Sequence, residues 1–94
     1  MKTFKDLEFK DHPCKSESTI FGTFGERARI DFENGYGVSV VTGGTGVYAD
    51  TRHPYEVAVM DNGVLTYDTH ITDDVIGHCT QKDVTKIMRQ VQEL

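Results

Sequence analysis

The chain of 94 residues carries 15 acidic and 10 basic side chains, which give a formal net charge of −5 at pH 7. This length is typical of one small domain with a single modest core, so we expect residues 1–94 to form one folded unit. The acidic balance argues against direct binding to duplex nucleic acid, because contact with phosphates requires a clustered basic face.

The N-terminal segment is interrupted by charges at Asp6, Glu8 and Lys10, so it does not resemble a signal peptide. Nothing else approaches the roughly 20 apolar residues that are needed to span a bilayer. We therefore expect a cytoplasmic protein without a membrane partner. Its two cysteines, Cys14 and Cys79, are expected to be free thiols in that reducing compartment.

In chain order, the N-terminal third gives the weakest pattern. Residues 3–6 predict a turn that leads into a short strand over residues 7–9. Residues 11–18 are polar and predict a loop. Residues 19–24 predict either a strand that bends at its glycines or a flexible insertion.

Two Asn-Gly pairs, Asn34-Gly35 and Asn62-Gly63, lie between alternating apolar residues and predict two β-hairpins. The first hairpin is expected over residues 27–42 and the second over residues 55–68. A two-residue loop at Asn34-Gly35 would set apolar residues opposite polar ones. A three-residue loop closed by a left-handed glycine instead places the apolar residues on one face.

We therefore predict three-residue loops at residues 33–35 and 61–63. In the first hairpin this register pairs Phe32 with Tyr36, Ile30 with Val38 and Ala28 with Val40. In the second it pairs Met60 with Val64, Val59 with Leu65 and Val57 with Tyr67. Phe32, Tyr36, Tyr55 and Tyr67 are then expected to pack in the core.

Residues 43–54 form a long connection between the hairpins and are the predicted mobile loop. Its glycines do not follow the pattern of a phosphate-binding loop, because no helix start and no lysine come after them. An aromatic residue beside a cation is typical of a contact hot spot. We predict that partner-binding residues lie here, namely Tyr48, Asp50, Arg52 and His53.

Residues 69–79 predict a connector with one helical turn through Val75 and Ile76, ended by Gly77. A helix should follow, because Thr80 and Asp83 resemble a capping box. Its apolar stripe consists of Val84, Ile87, Met88, Val91 and Leu94. Packing this stripe on the hairpins predicts an α+β fold, in which an antiparallel meander of four or five strands lies against one C-terminal helix.

Histidine and cysteine supply enough nitrogen and sulfur ligands for zinc, at His12, Cys14, His53, His70, His78 and Cys79. Their spacing argues against a zinc site, because adjacent residues such as His78 and Cys79 point in different directions. No local signature places a base beside either thiol. Asp73 and Asp74 are expected to cap backbone amides, and Asp61 is expected to stabilise the turn at residues 61–63. We therefore predict no catalytic residue, metal ligand or cofactor.

Four runs of the sequence resemble a group of short proteins of unassigned function that are encoded by tailed bacteriophages. They are residues 34–41, 55–59, 65–69 and 71–77, and the likeness covers most of the chain from Ala28 onward together with residues 4–9. The resemblance implies a phage accessory gene whose product lies in the host cytoplasm. It supplies no functional residues.

Our leading hypothesis is a small non-enzymatic protein that binds a host or phage macromolecule, most simply a protein. Such a protein could inhibit a bacterial defence system, as anti-CRISPR proteins do. One alternative is a small metal-dependent or cysteine hydrolase. Another is a structural homo-oligomeric phage protein, since an open meander leaves edge strands on which a homodimer can form.

Overall fold

The computed structural model describes residues 1–11, 25–43, 54–72 and 74–94. Its strands are β1 (Lys10–Asp11), β2 (Glu26–Asp31), β3 (Tyr36–Thr42), β4 (Tyr55–Asp61), β5 (Val64–Leu65) and β6 (Ile76–Cys79). They pair antiparallel in the order β1-β2-β3-β4-β5, and β6 also pairs with β4. One α-helix, α1 (Gln81–Gln92), follows, and a 3₁₀ turn covers Phe4–Asp6. The predicted α+β meander with a C-terminal helix is confirmed.

The first hairpin has the predicted three-residue loop. Ala28 lies opposite Val40 and Ile30 opposite Val38. The amide of Gly35 donates to the carbonyl oxygen of Phe32 at 3.1 Å, and Gly35 has a φ of 88°. The glycine is therefore needed at the left-handed position that closes this loop.

The second hairpin has a two-residue loop, so the predicted three-residue loop is wrong. Met60 lies opposite Leu65 and Asp61 opposite Val64, while Asn62 and Gly63 have φ values of 50° and 81°. Two successive positive φ values define a type I′ turn, whose twist matches that of the flanking strands. The shift by one residue removes Leu65 and Tyr67 from the core face, where we had placed them.

Strand β6 corrects the predicted connector over residues 69–79. Ile76 pairs with Val57 and Cys79 with Tyr55, with a bulge between the two pairs, so the predicted helical turn through Ile76 is wrong. Strands β5 and β6 run in the same direction along β4 and form one interrupted edge strand. Residues 67–72, 74 and 75 leave the edge between them, and we call this segment the excursion. Pairing with β4 brings Cys79 into the core, which a free helical turn would not do.

Helix α1 begins with the predicted capping box. The amide of Asp83 donates to Thr80 Oγ1 at 3.1 Å, and the amide of Thr80 donates to Asp83 Oδ2 at 2.9 Å. Caps of this kind stabilise a helix by about 1 kcal/mol. The predicted stripe is buried at Val84, Ile87, Met88 and Val91, and Leu94 packs against it from beyond the helix end.

The core lies between α1 and one face of β3, β4 and β6. The sheet contributes Val38, Val40, Val57 and Val59, each at most 1% exposed, and α1 contributes Met88. Among the residues described, no helix is both long and apolar enough to cross a membrane.

The N-terminal segment forms the predicted turn at Phe4–Asp6, but the short strand is β1 rather than residues 7–9. Phe4 and Phe9 turn toward Tyr55 instead, with ring centroids 5.0 and 5.8 Å from the tyrosine ring. Aromatic packing therefore fixes this segment where strand pairing was expected. Residues 12–24, including the strand or insertion predicted over residues 19–24, lie outside the described part of the chain.

Candidate interaction surfaces

The predicted partner-binding residues Tyr48, Asp50, Arg52 and His53 lie outside the described residues. The structure shows where their loop leaves the sheet, because Thr42 Oγ1 donates to the carbonyl oxygen of Pro54 at 2.7 Å. This bond holds the ends of β3 and β4 together at the end of the sheet opposite the two hairpin loops. His12 and Cys14 also lie outside the described part of the chain.

His78 and Cys79 lie in different environments. Cys79 is 2% exposed, and its thiol donates to the carbonyl oxygens of Ile76 and Gly77 at 3.5 Å. Burial raises the pKa of this thiol, and the nearby charge of Asp83 raises it further. His78 is exposed and has a φ of 54° at the bulge of β6. The thiol is thus kept protonated, the form in which it is a poor nucleophile.

Within residues 1–11, 25–43, 54–72 and 74–94, no three His, Cys, Asp or Glu residues gather closely enough to hold a metal ion. Asp74 caps a backbone amide as predicted, because its Oδ1 accepts a hydrogen bond from the amide of Val75 at 2.7 Å. Asp73 lies outside the described residues.

The two chain ends and the first hairpin loop meet at one point, which we call the terminal junction. Asn34 Nδ2 donates to the carbonyl oxygens of Val91 at 2.9 Å and Leu94 at 3.3 Å. The Lys2 amide donates to Gln92 Oε1, and Gln92 Nε2 donates back to the carbonyl oxygen of Lys2, both at 2.8 Å. The junction therefore ties the N-terminal segment and the first hairpin to the end of α1.

The N-terminal segment runs beside the outer face of α1 and forms an open groove with it, of about 1090 Å³. A second bond, from the Phe4 amide to Thr85 Oγ1 at 3.1 Å, holds the two walls together. Four cations line this α1 groove, together with the two carboxylates of Asp83 and Glu93: Lys5, Lys82, Lys86 and Arg89. The groove has a local excess of positive charge in a chain whose net charge is −5.

Two carboxylates at the basic groove, those of Asp6 and Asp83, accept hydrogen bonds from backbone amides. Asp6 Oδ2 accepts from the Thr3 amide at 2.8 Å, which lowers the pKa of Asp6, and Lys2 and Lys5 lower it further. Asp83 accepts from the Thr80 amide in the capping box.

A second hollow, of about 660 Å³, lies at the terminal junction. Lys2, Asp6, Asp31 and Glu33 supply its charges, so it is acidic. Asn34 and Gln92 also line it, and both are used in the bonds of the junction. We assign this hollow to the structure of the junction.

Strand β5 and the residues just after it carry exposed apolar side chains at the edge of the sheet. Val64 is 67%, Leu65 45% and Tyr67 43% exposed. Asp61 and Asp68 on either side of them are also exposed. We call these five residues the β5 edge surface.

The backbone of β5 also faces outward at one position. The Thr66 amide donates to the carbonyl oxygen of Val59 at 3.0 Å, so these two residues form a hydrogen-bonded pair. Bonded and non-bonded pairs alternate along an antiparallel ladder, so the N–H and C=O of Leu65 point away from β4.

Repeated threonines shape the excursion that follows β5. The hydroxyls of Thr66, Thr69 and Thr72 each accept from the amide two residues later, at 3.1 to 3.3 Å. These turns recur every third residue in the sequence TYDTHITDD. Neither surface was predicted from the sequence. The spacing of these threonines was a signal for successive turns after residue 65, and therefore for a short β5.

Comparison of the chain with models of protein families, with curated proteins and with solved structures gives no match. The two surfaces are therefore defined by geometry alone. The α1 groove is basic. The β5 edge surface is apolar with an acidic border and lies at the edge of the sheet.

Proposed function

We propose that this chain is a non-enzymatic phage accessory protein that binds a basic protein of the host or of the phage through the β5 edge surface. Inhibition of a bacterial defence system, as by an anti-CRISPR protein, is the biological role that this activity fits. One observation carries the proposal: Val64 and Leu65 of the edge strand β5, and Tyr67 two residues after it, are exposed within four consecutive positions of the chain.

Exposed apolar side chains of this size favour protein contact over solvation. Each loses contact with water when a partner covers it, at about 25 cal/mol for every Å² buried. Tyrosine in particular is enriched at the centres of protein interfaces. The surface therefore has the composition of an interface core.

The charges around this surface indicate the sign of the partner's charge. Asp61 and Asp68 border the apolar residues, and the chain as a whole has a net charge of −5. Opposite charge speeds association and disfavours acidic competitors. A nucleic-acid-binding surface of a host protein has the required positive charge, and the chain would block it when bound.

The outward N–H and C=O of Leu65 give such a partner a backbone site as well. An extended segment of the partner can pair with β5 and lengthen the sheet, while Val64 and Leu65 contact it from opposite faces. Strand β5 has only two residues, which limits the number of backbone hydrogen bonds that a partner can form with it. Side chains must then supply most of the affinity.

The test is affinity capture from a lysate of susceptible bacteria with the tagged full chain as bait. We expect a basic nucleic-acid-binding protein in equimolar amount. Leu65→Lys and Tyr67→Ala should each lower its recovery by about tenfold, a loss of roughly 1.4 kcal/mol. Glu26→Ala, an exposed change on β2 outside the surface, is the control and should leave recovery unchanged.

The captured protein is then purified and its binding to nucleic acid measured with increasing amounts of the chain. Loss of nucleic-acid binding at equimolar chain supports the proposal. Capture of an acidic protein, or recovery that Leu65→Lys leaves intact, contradicts it. If light scattering shows only a dimer of the chain itself, and Leu65→Lys dissociates that dimer, the homo-oligomeric alternative is correct instead.

A further inference from the structure

We propose that the α1 groove is a second binding site, which takes an extended acidic segment of a partner protein. The geometry joins Lys5 of the N-terminal segment with Lys82, Lys86 and Arg89 of α1 in one concave surface. This site shares no residue with the β5 edge surface and does not depend on the function proposed above.

The clustering of positive charge is the first argument. Four of the 10 basic residues of the chain line one groove, although acidic residues outnumber basic ones overall. The four cations outnumber the two carboxylates that line the groove with them, those of Asp83 and Glu93. The groove therefore keeps a net positive charge toward a ligand.

The position of Lys82 is the second argument. It is the second residue of α1, in the first turn, where the partial positive charge of the helix terminus opposes a lysine. A residue that breaks a local rule without an evident structural gain is expected at a functional site. Lys82 is exposed, and it extends the row of cations to the start of the helix.

The spacing of this row fits an extended chain. Lys82 and Lys86 are separated by about 6 Å along the helix axis, at about 1.5 Å per residue. Side chains on one face of an extended segment recur every ~6.6 Å. Alternate carboxylates of an acidic segment can therefore meet successive cations, while Thr3, Gln81 and Gln90 along the groove can bond its backbone.

The surroundings of the groove favour a short acidic segment over nucleic acid. A duplex carries a charge about every 1.7 Å and extends beyond any groove of this size. Its outer phosphates would face the acidic remainder of the chain beyond the groove, which gives the chain its net charge of −5. An acidic segment flanked by neutral residues avoids that repulsion.

The test measures fluorescence anisotropy of a labelled peptide with about five glutamates flanked by glycine and serine, whose acidic part spans ~17 Å when extended, with the full chain at low salt. We expect saturable binding that weakens as salt rises. A glutamine peptide of equal length, a single-stranded oligonucleotide and a short duplex are the comparison probes. Each should bind at least about tenfold more weakly than the glutamate peptide.

Lys82→Glu separates binding from folding, because the two effects have opposite signs. It should weaken peptide binding by about tenfold or more, yet raise the melting temperature by roughly 3–6 °C through its favourable place at the helix start. Lys10→Glu on β1 changes the net charge equally but lies outside the groove, and should leave peptide binding within about twofold.

Three results would each overturn the proposal: no saturable binding of the glutamate peptide, equal loss of binding in Lys82→Glu and Lys10→Glu, or tighter binding of either nucleic acid. None of these outcomes bears on the β5 edge surface, which is measured with different variants. The two proposals can therefore fail separately.

Discussion

Asn34 and Asn62 precede glycine in matching sequence contexts, yet they are required for different reasons. Asn62 has a φ of 50°. This position favours asparagine because asparagine adopts the left-handed region more readily than most residues. Asn34 keeps a negative φ and is instead held by its side chain, which accepts from the Tyr36 amide and donates to the end of α1. The same dipeptide thus serves one turn through its backbone and the other through its amide group.

Substitution by aspartate separates these two roles. Asn34→Asp replaces a donor by a carboxylate that faces the carbonyl oxygens of Val91 and Leu94, at the negative end of the helix dipole. We expect a loss of about 2 kcal/mol in the free energy of unfolding. Asn62→Asp keeps a residue that tolerates positive φ, and should change it by less than about 0.5 kcal/mol. Urea unfolding of both variants measures the difference, and equal losses would contradict these roles.

Gly37 shows a second constraint at a single position. A Cβ atom there would collide with the carbonyl oxygen of Ile30 and lie 3.1 Å from the Cα of Asp31, both of them backbone atoms that cannot move aside easily. Gly37→Ala should therefore cost about 1–3 kcal/mol of stability. Ser39→Ala, two residues along the same face of β3, is the matched control, with an expected change below about 0.5 kcal/mol. Thermal unfolding monitored by circular dichroism tests both.

At the scale of elements, the sequence specifies the first hairpin and α1 because their patterns exclude the alternatives. A shift by one residue would place Val38 and Val40 opposite Asp31 and Arg29. In the second hairpin, both loop lengths satisfy the local pattern, and the choice is made by Asn62 entering the left-handed region. β6 could not be predicted because Gly77 and His78, which has a positive φ, interrupt the alternation of apolar residues. Its strand conformation depends on pairing with β4. Tertiary contacts decide such short segments.

The N-terminal segment depends on Gln92 for its attachment to α1. Gln92→Ala removes both bonds to the Lys2 backbone, so the segment should open more often while the core stays folded. We expect faster trypsin cleavage after Lys5 and a loss of less than about 1 kcal/mol in global stability. Gln90→Ala, on the exposed face of the same helix turn, is the control and should be cleaved at the rate of the unmodified chain. An unchanged cleavage rate in Gln92→Ala would show that Phe4 packing and the Phe4–Thr85 hydrogen bond hold the segment without Gln92.

On the scale of the whole molecule, the α1 groove could not be predicted because its two walls come from opposite ends of the chain. Lysines on the outer face of α1 are, by themselves, what any solvated helix presents. They become a groove only when the terminal junction brings Lys5 beside them. The β5 edge surface was hidden by the register error at the second hairpin, which assigned Leu65 and Tyr67 to the core.

Stability as a whole should depend on pH through Cys79. Its pKa is raised in the folded state, so the folded chain holds the thiol proton more tightly than the unfolded chain does. This contribution is fully present below the unfolded-state pKa and is lost as the pH rises through the folded-state pKa. Cys79→Ala should be less stable at neutral pH, with a gap that narrows toward pH values of about 10. Urea unfolding of both chains between neutral and alkaline pH measures this gap, and a constant gap would contradict the assignment.

The interrupted edge strand separates the length of the excursion from the register of the sheet. β5 and β6 each pair with β4 independently, so residues can be added between Asp68 and Asp74 without moving either strand. Each doubling of such a loop costs only about 0.6 kcal/mol in closure entropy. The fold therefore tolerates a change in length beside Tyr67 while the rest of the domain stays the same. For the same reason, this segment is a natural place to graft a foreign peptide onto the fold.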